Sequence, residues 1–172
     1  LTLRGEVLLA DASSLPEDVL LVMPGEHNRM NAGIAAETLR AMGLSEAEIS
    51  AGLSTFPGVP GRLEYLGEKN GVLIYNDNNA TTPEATSAGL RALTQEKNII
   101  LIMGGADKTL NMRSLISDIE KYTKTVVLLP GSGSDSVRKV LESVIDVSSL
   151  KEGLERAFAE AENGDIVLFS PA

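Results

Sequence analysis

Val72-Leu73-Ile74-Tyr75-Asn76-Asp77-Asn78-Asn79-Ala80-Thr81-Thr82-Pro83-Glu84 decides how this chain folds. An apolar run of strand length stops at a cluster of small polar side chains, and a helix start follows at once. Thr81-Thr82-Pro83-Glu84 fits a capping box, with Pro83 suited to the first helical turn. A strand that ends in a polar turn opening a helix is the unit from which α/β proteins build ligand sites. The turn displays an acid, amides and hydroxyls beside the backbone N–H groups that every helix start leaves without intrahelical partners. Asn, Asp and Thr are also ordinary turn and capping residues, so residue type alone leaves both readings open.

Upstream, Asn70-Gly71 separates this strand from a strand-like run at 62–66, the pattern of a tight hairpin. Downstream, strand and helix patterns alternate. Ile99–Met103 is apolar throughout, as expected of a strand covered on both faces. Met112, Leu115, Ile116, Ile119 and Tyr122 mark a helix, and residues 126–129 a strand. Val137, Val140, Leu141 and Val144 mark another helix, with a short strand at 145–147. Ser149 and Glu152 cap a helix carrying Leu154, Ala157, Phe158 and Ala161, and Ile166–Phe169 is the last strand. The alternation specifies an α/β fold, a Rossmann-like doubly wound, mostly parallel sheet.

The first third has a different grammar. Strand-like pieces at 6–10 and 19–23 precede Pro24-Gly25-Glu26-His27-Asn28. Ala32, Ala35, Leu39 and Met42 then recur at helical spacing until Gly43, and Ser45 with Glu48 opens a second helix. Phe56-Pro57-Gly58-Val59-Pro60-Gly61 holds two prolines and two glycines in six residues, which places a domain boundary between 1–57 and 58–172.

Composition narrows the chemistry. The chain has 172 residues, 43% hydrophobic but only 3% aromatic, so its core is aliphatic. A formal net charge of -9 argues against a nucleic-acid backbone or an anionic membrane surface as partner. There is no Cys, which excludes disulfides and thiolate metal sites and fits a reducing cytoplasmic setting, and His27 is the only His. The longest apolar runs are too short for membrane insertion. Leu1 in place of Met, and an end at the lip of a strand, read as a piece of a longer protein.

Ligands in such sheets lie beyond the carboxyl ends of strands. Besides the Asp77–Thr82 turn, Gly104-Gly105-Ala106-Asp107-Lys108 combines close backbone approach with a mobile cation, although a tight turn with an exposed Lys is the plainer reading. Gly131-Ser132-Gly133-Ser134-Asp135-Ser136 lacks the third Gly of a dinucleotide fingerprint and reads as a flexible connection. Ser170-Pro171-Ala172 ends the last strand. Asn28 and Asn31, three apart at the first long helix, offer the donors and acceptors an adenine edge needs, or simply cap that helix. Arg62 could reach an anion from the start of the second domain or sit solvated on a strand.

Taken in order and spacing, these segments resemble the Mur ligases, ATP-dependent amino-acid ligases of peptidoglycan synthesis. The carriers are Gly25-Glu26-His27-Asn28 with Asn31, then Phe56 through Glu64, Asn76-Asp77 through Ala80-Thr81, Gly104 through Lys108, and Leu168-Phe169-Ser170-Pro171-Ala172. The resemblance covers essentially the whole chain. It implies the tail of a central ATP-binding domain, followed by a C-terminal domain cut before its end. It also implies ATP as co-substrate and Mg held by residues outside this chain, with UDP-N-acetylmuramoyl-L-alanine and glutamate as substrates. By the same resemblance, Asn28 and Asn31 would contact adenine, and Arg62 and Asp77 the nucleotide. Thr81, Lys108 and Ser170 would serve the incoming amino acid, and no catalytic residue falls within the chain. Two positions depart from the family pattern. Asn79 stands where the family has Lys, and Gly61 where it often has His. These departures leave open which amino acid is added, and keep alive a folylpolyglutamate-type ligase or a non-catalytic α/β binding module.

Overall fold

The computed structural model describes residues 7–106, 109–141 and 143–172. The chain forms two compact units, Leu1–Gly58 and Val59–Ala172.

In the first unit, helix α1 (Glu26–Ala41) and helix α2 (Glu46–Ser54) are joined by a tight turn. The α1 end is a Schellman motif, in which Leu44 N–H donates to Leu39 O at 3.1 Å and Gly43 N–H to Arg40 O at 2.9 Å. The capping box expected at α2 is present: Ser45 Oγ accepts from Glu48 N–H while Glu48 Oε2 accepts from Ser45 N–H. Arg40 ties the unit together through Ser14 O at 2.7 Å, Glu37 at 3.0 Å and Glu46 at 2.8 Å. The carboxylates of Glu46 and Glu37 push its already high pKa further up. A small core gathers Leu15, Val19 and Ala32, with Leu21 and Leu53 at its margin. The strand-like pieces at 7–10 and 19–23 are not strands, and Leu9 and Leu20 stand 90% and 82% exposed. Strand propensity is fit to a pleated, half-buried surface, and among the described residues of its unit neither piece has a strand to pair with.

The second unit is a six-stranded sheet ordered β1-β2-β6-β3-β4-β5. Its strands are β1 (Glu64–Lys69), β2 (Val72–Asn76), β3 (Ile99–Met103), β4 (Thr123–Leu128), β5 (Ile145–Asp146) and β6 (Ile166–Phe169). Only β1 is antiparallel, joined to β2 by Asn70-Gly71 with φ of 55° and 78°, the paired positive values a two-residue hairpin turn demands. β2, β6, β3, β4 and β5 run parallel. Helices α3 (Pro83–Leu93) and α4 (Arg113–Tyr122) bring Leu90, Leu115 and Ile119 to the core on one face. Helix α6 (Leu150–Glu160) brings Leu154, Ala157 and Phe158 to the other. The sheet is thus wound on both faces, and all five residues of β3 are buried at 0–1% exposure.

Helix α5 (Ser132–Arg138) begins earlier than its apolar spacing suggests and ends before Val140, Leu141 and Val144, residues expected to mark it that lie outside any helix. The glycine-rich segment expected to be a flexible connection is its first turn, held by Gly133 N–H donating to Gly105 O at 2.9 Å. A Cβ on Gly131 would collide with that same Gly105 carbonyl, so the glycine there serves the close approach of two turns.

Candidate functional site

The carboxyl ends of β2, β6 and β3 are laced together. Asp77 N–H donates to Phe169 O at 2.8 Å, Ser170 N–H to Ile102 O at 3.0 Å, Gly104 N–H to Pro171 O at 3.2 Å, and Ala172 N–H to Ala80 O at 3.0 Å. Parallel pairing of three strands forces their following turns to one edge. That edge joins the Asp77–Thr82 turn, Gly104-Gly105 and Ser170-Pro171-Ala172. A cleft there is lined by Pro83, Gly104, Gly105, Ala106, Pro171 and Ala172.

The turn divides into an inner and an outer part. Asp77 is 5% exposed, and its side chain faces inward. Oδ1 accepts from Leu63 N–H at 3.0 Å and Oδ2 from Ser170 Oγ–H at 3.1 Å. Ser170 is fully buried and also meets Thr86 Oγ1 at 2.9 Å. Thr82, not Thr81, is the N-cap of α3, its hydroxyl accepting from Ala85 N–H at 3.3 Å, with Pro83 next in the first turn. Helix capping therefore lies one residue past Thr81, which is exposed on the rim.

The segment entering β1 is fastened to this turn. Asn79 N–H donates to Gly61 O and Asn79 Nδ2 to Pro60 O, both at 2.9 Å. Glu64 Oε2 accepts from Gly61 N–H at 2.8 Å and from Asn76 Nδ2 at 3.2 Å. Gly61 has φ of 73°, and a Cβ there would overlap Asn78 Oδ1, so the turn's asparagines fill the space a side chain at 61 would need. Leu63 holds φ of 44°, a left-handed conformation that costs a residue with a Cβ on the order of 1 kcal/mol. Between them, Arg62 donates its N–H to Val59 O at 3.1 Å and leaves its side chain exposed.

Of the residues expected at the site, Arg62, Asp77, Thr81 and Ser170 lie at this one edge of the second unit. Lys108 lies outside the described residues. In the first unit, Asn28 is 1% exposed and donates Nδ2 to Pro24 O at 2.7 Å, whereas Asn31 is exposed. Sequence reasoning gave no role to Leu63, Glu64 or Thr86. Thr86 and Ser170 are 84 positions apart, and no local pattern marks their contact.

A doubly wound α/β domain with its turns gathered at one sheet edge is the class that fold and site define. The family model of the Mur ligase glutamate ligase domain matches residues 61–172, and the chain belongs to the Mur ligase family. Among curated relatives, UDP-N-acetylmuramoylalanine--D-glutamate ligase of Desulfitobacterium hafniense (strain Y51) is 34% identical over 97% of this chain and 38% of its own length. The protein of the same name from Streptococcus gordonii is 35% identical over 100% and 37%. The chain thus spans less than two fifths of these relatives. Solved structures with the same fold include UDP-N-acetylmuramate-alanine ligase of Thermotoga maritima, with TM-score 0.71 and 22% identity over 90% of this chain and 36% of that one. Folylpolyglutamate synthase of the same organism has TM-score 0.62 and 26% identity over 89% and 38%.

Proposed function

We propose that this chain is the C-terminal portion of an ATP-dependent ligase that joins D-glutamate to UDP-N-acetylmuramoyl-L-alanine. The observation that carries the reading is the outward guanidinium of Arg62, whose backbone is pinned between two anchored neighbours beside the Asp77–Thr82 turn. A cation carried on a pinned backbone at the carboxyl edge of a parallel sheet suits a phosphate-bearing nucleotide. The names of the relatives supply the substrates.

In this reading Arg62 meets the nucleotide, while Asp77, expected beside it, has both carboxylate oxygens engaged by Leu63 and Ser170 and shapes the turn from within. Asn31, exposed on α1, takes the adenine edge, with Asn28 orienting the helix start. Thr81 on the rim and Lys108 hold the amino acid by its carboxylates, which keeps the amine in near-attack geometry. Ser170, which the resemblance puts at that subsite, is fully buried with its hydroxyl bonded to Asp77 and Thr86, so it braces the turn and does not meet the amino acid. ATP, when bound, supplies the phosphoryl group that activates the muramoyl-alanine carboxyl as an acyl phosphate. The glutamate amine then displaces phosphate. Among the described residues no group of three His, Cys, Asp or Glu side chains could hold a metal ion. No described helix is long and apolar enough to cross a membrane. The reading assigns the work to the cytoplasm, where ATP and the nucleotide-linked precursor meet.

Phosphate release by the full-length protein tests this. Release is expected with ATP, UDP-N-acetylmuramoyl-L-alanine and D-glutamate together, with little from L-glutamate and none from the 172-residue chain alone. Turnover with a folate, or with another amino acid in preference to D-glutamate, would overturn it.

A further inference from the structure

The edge contains a buried hydroxyl chain whose far member, Thr86, has no part in the proposed chemistry. Thr86 and Ser170 are both 0% exposed and Asp77 is 5% exposed. A serine hydroxyl has one proton. Ser170 gives that proton to Asp77 Oδ2 at 3.1 Å. The 2.9 Å contact between Thr86 Oγ1 and Ser170 Oγ is therefore donated by Thr86. The order runs Thr86 O–H to Ser170, Ser170 O–H to Asp77, and from the other carboxylate oxygen to Leu63 N–H at 3.0 Å. Aligned donors in a dry interior strengthen one another, and each fixes the orientation of the next.

This chain ends on a strained residue. Leu63 is 3% exposed at φ of 44°, and its N–H is held by Asp77. A left-handed non-glycine residue persists only where its surroundings over-determine it. Arg62 is the next residue back, and on its other side Gly61 is held by Asn79 N–H. Gly89 leaves room for the arrangement, since a Cβ there would come within 3.1 Å of Asp77 Oδ2 and 3.3 Å of Leu63 Cδ2.

We infer that Thr86, acting through Ser170 and Asp77, is a positioning residue that aims Arg62 at an anionic, phosphate-bearing ligand. The inference rests on the nucleotide role proposed for Arg62. Thr86 touches no ligand itself. It is buried in the first turn of α3 and acts by keeping Leu63 in its strained conformation.

The test uses the full-length protein with Thr86→Val, which keeps the shape and removes the hydroxyl, and Thr86→Ser, which keeps the hydroxyl. Thr86→Val should raise KM for ATP about five-fold, the worth of one lost hydrogen bond, with KM for glutamate changed less than about two-fold. Hydrogen exchange of the Leu63 amide should accelerate in the same variant. Thr86→Ser should restore both. Equal rises in the two KM values, or unchanged exchange at Leu63, would overturn the positioning role. If the wild-type protein shows no ATP-dependent phosphate release, the ligase reading fails. Exchange at Leu63 then decides by itself whether Thr86 holds the strained turn.

Discussion

Residues 19–23 read Val-Leu-Leu-Val-Met, and Ile99–Met103 reads Ile-Ile-Leu-Ile-Met. Both are five-residue apolar runs that local propensity assigns to strands. Ile99–Met103 is the centre of the sheet, paired with β4 on one side and β6 on the other and covered on both faces. Residues 19–23 belong to no strand or helix. Only Val19 is buried, while Leu20 is 82% and Val22 64% exposed. A strand is thus a property of its neighbours: ladder partners and packed faces turn an apolar run into structure, and composition does not.

The largest expected effect follows directly. Leu101→Ala removes a side chain that is 0% exposed at the middle of the sheet and should destabilise the second unit by about 3 kcal/mol. Leu20→Ala, at an exposed position, should change stability by no more than about 0.5 kcal/mol. Urea unfolding of both variants checks this. A large loss from Leu20→Ala would break the comparison, because it would mean that the exposed run is held in contacts the structure does not have.

Polar groups sharpen the same contrast at a smaller scale. Ser170 Oγ is buried between Thr86 and Asp77, whereas Ser50 Oγ donates to Asp18 Oδ1 at 2.9 Å on the surface of the first unit. Ser170→Ala strands a buried hydroxyl and a carboxylate oxygen and should cost about 1–3 kcal/mol. Ser50→Ala exchanges one exposed bond for water and should cost about 0.5 kcal/mol or less. Thermal melts of the two variants should differ accordingly. Similar losses would mean that burial does not set the worth of these bonds.

What could be read from the sequence divides along the same line. Local rules identified the Asn70-Gly71 hairpin, the Ser45–Glu48 box and the bounds of β3 and β6, because turn chemistry and apolar run length act within a few residues. They misjudged residues 7–10 and 19–23, where the outcome depended on partners. They placed the α3 cap on Thr81, because Thr81 and Thr82 offer the same hydroxyl and only backbone geometry chooses Thr82. At the site, the sequence singled out the Asp77 turn and Ser170 separately. Their contact spans 93 positions and left no local trace. Asn79 was visible only as a departure from the family pattern. Its bonds to Pro60 and Gly61 explain the residue physically, and they account for Gly61 as well.

The smallest effect concerns chemistry that should be blind to the difference between the two regions. Glu48 in the first unit accepts from the Ser45 hydroxyl and N–H, and Glu152 in the second accepts from those of Ser148. In both, the serine hydroxyl first and the N–H second hold the carboxyl below its ordinary value. The unfolded carboxyl titrates near about 4.3 and the folded one lower. The cap's contribution is therefore complete above the unfolded value and is lost as pH falls through the folded one. Glu48 is exposed and Glu152 is half-buried at the surface, so solvent and salt screen the effect. Titration of the two side-chain carboxyls by NMR should give midpoints displaced downward in both units. Ser45→Ala should return Glu48 toward its ordinary value and leave Glu152 unmoved. If Glu152 alone were displaced, helix capping would itself depend on the packed sheet, and the line between local and tertiary causes would have to be redrawn.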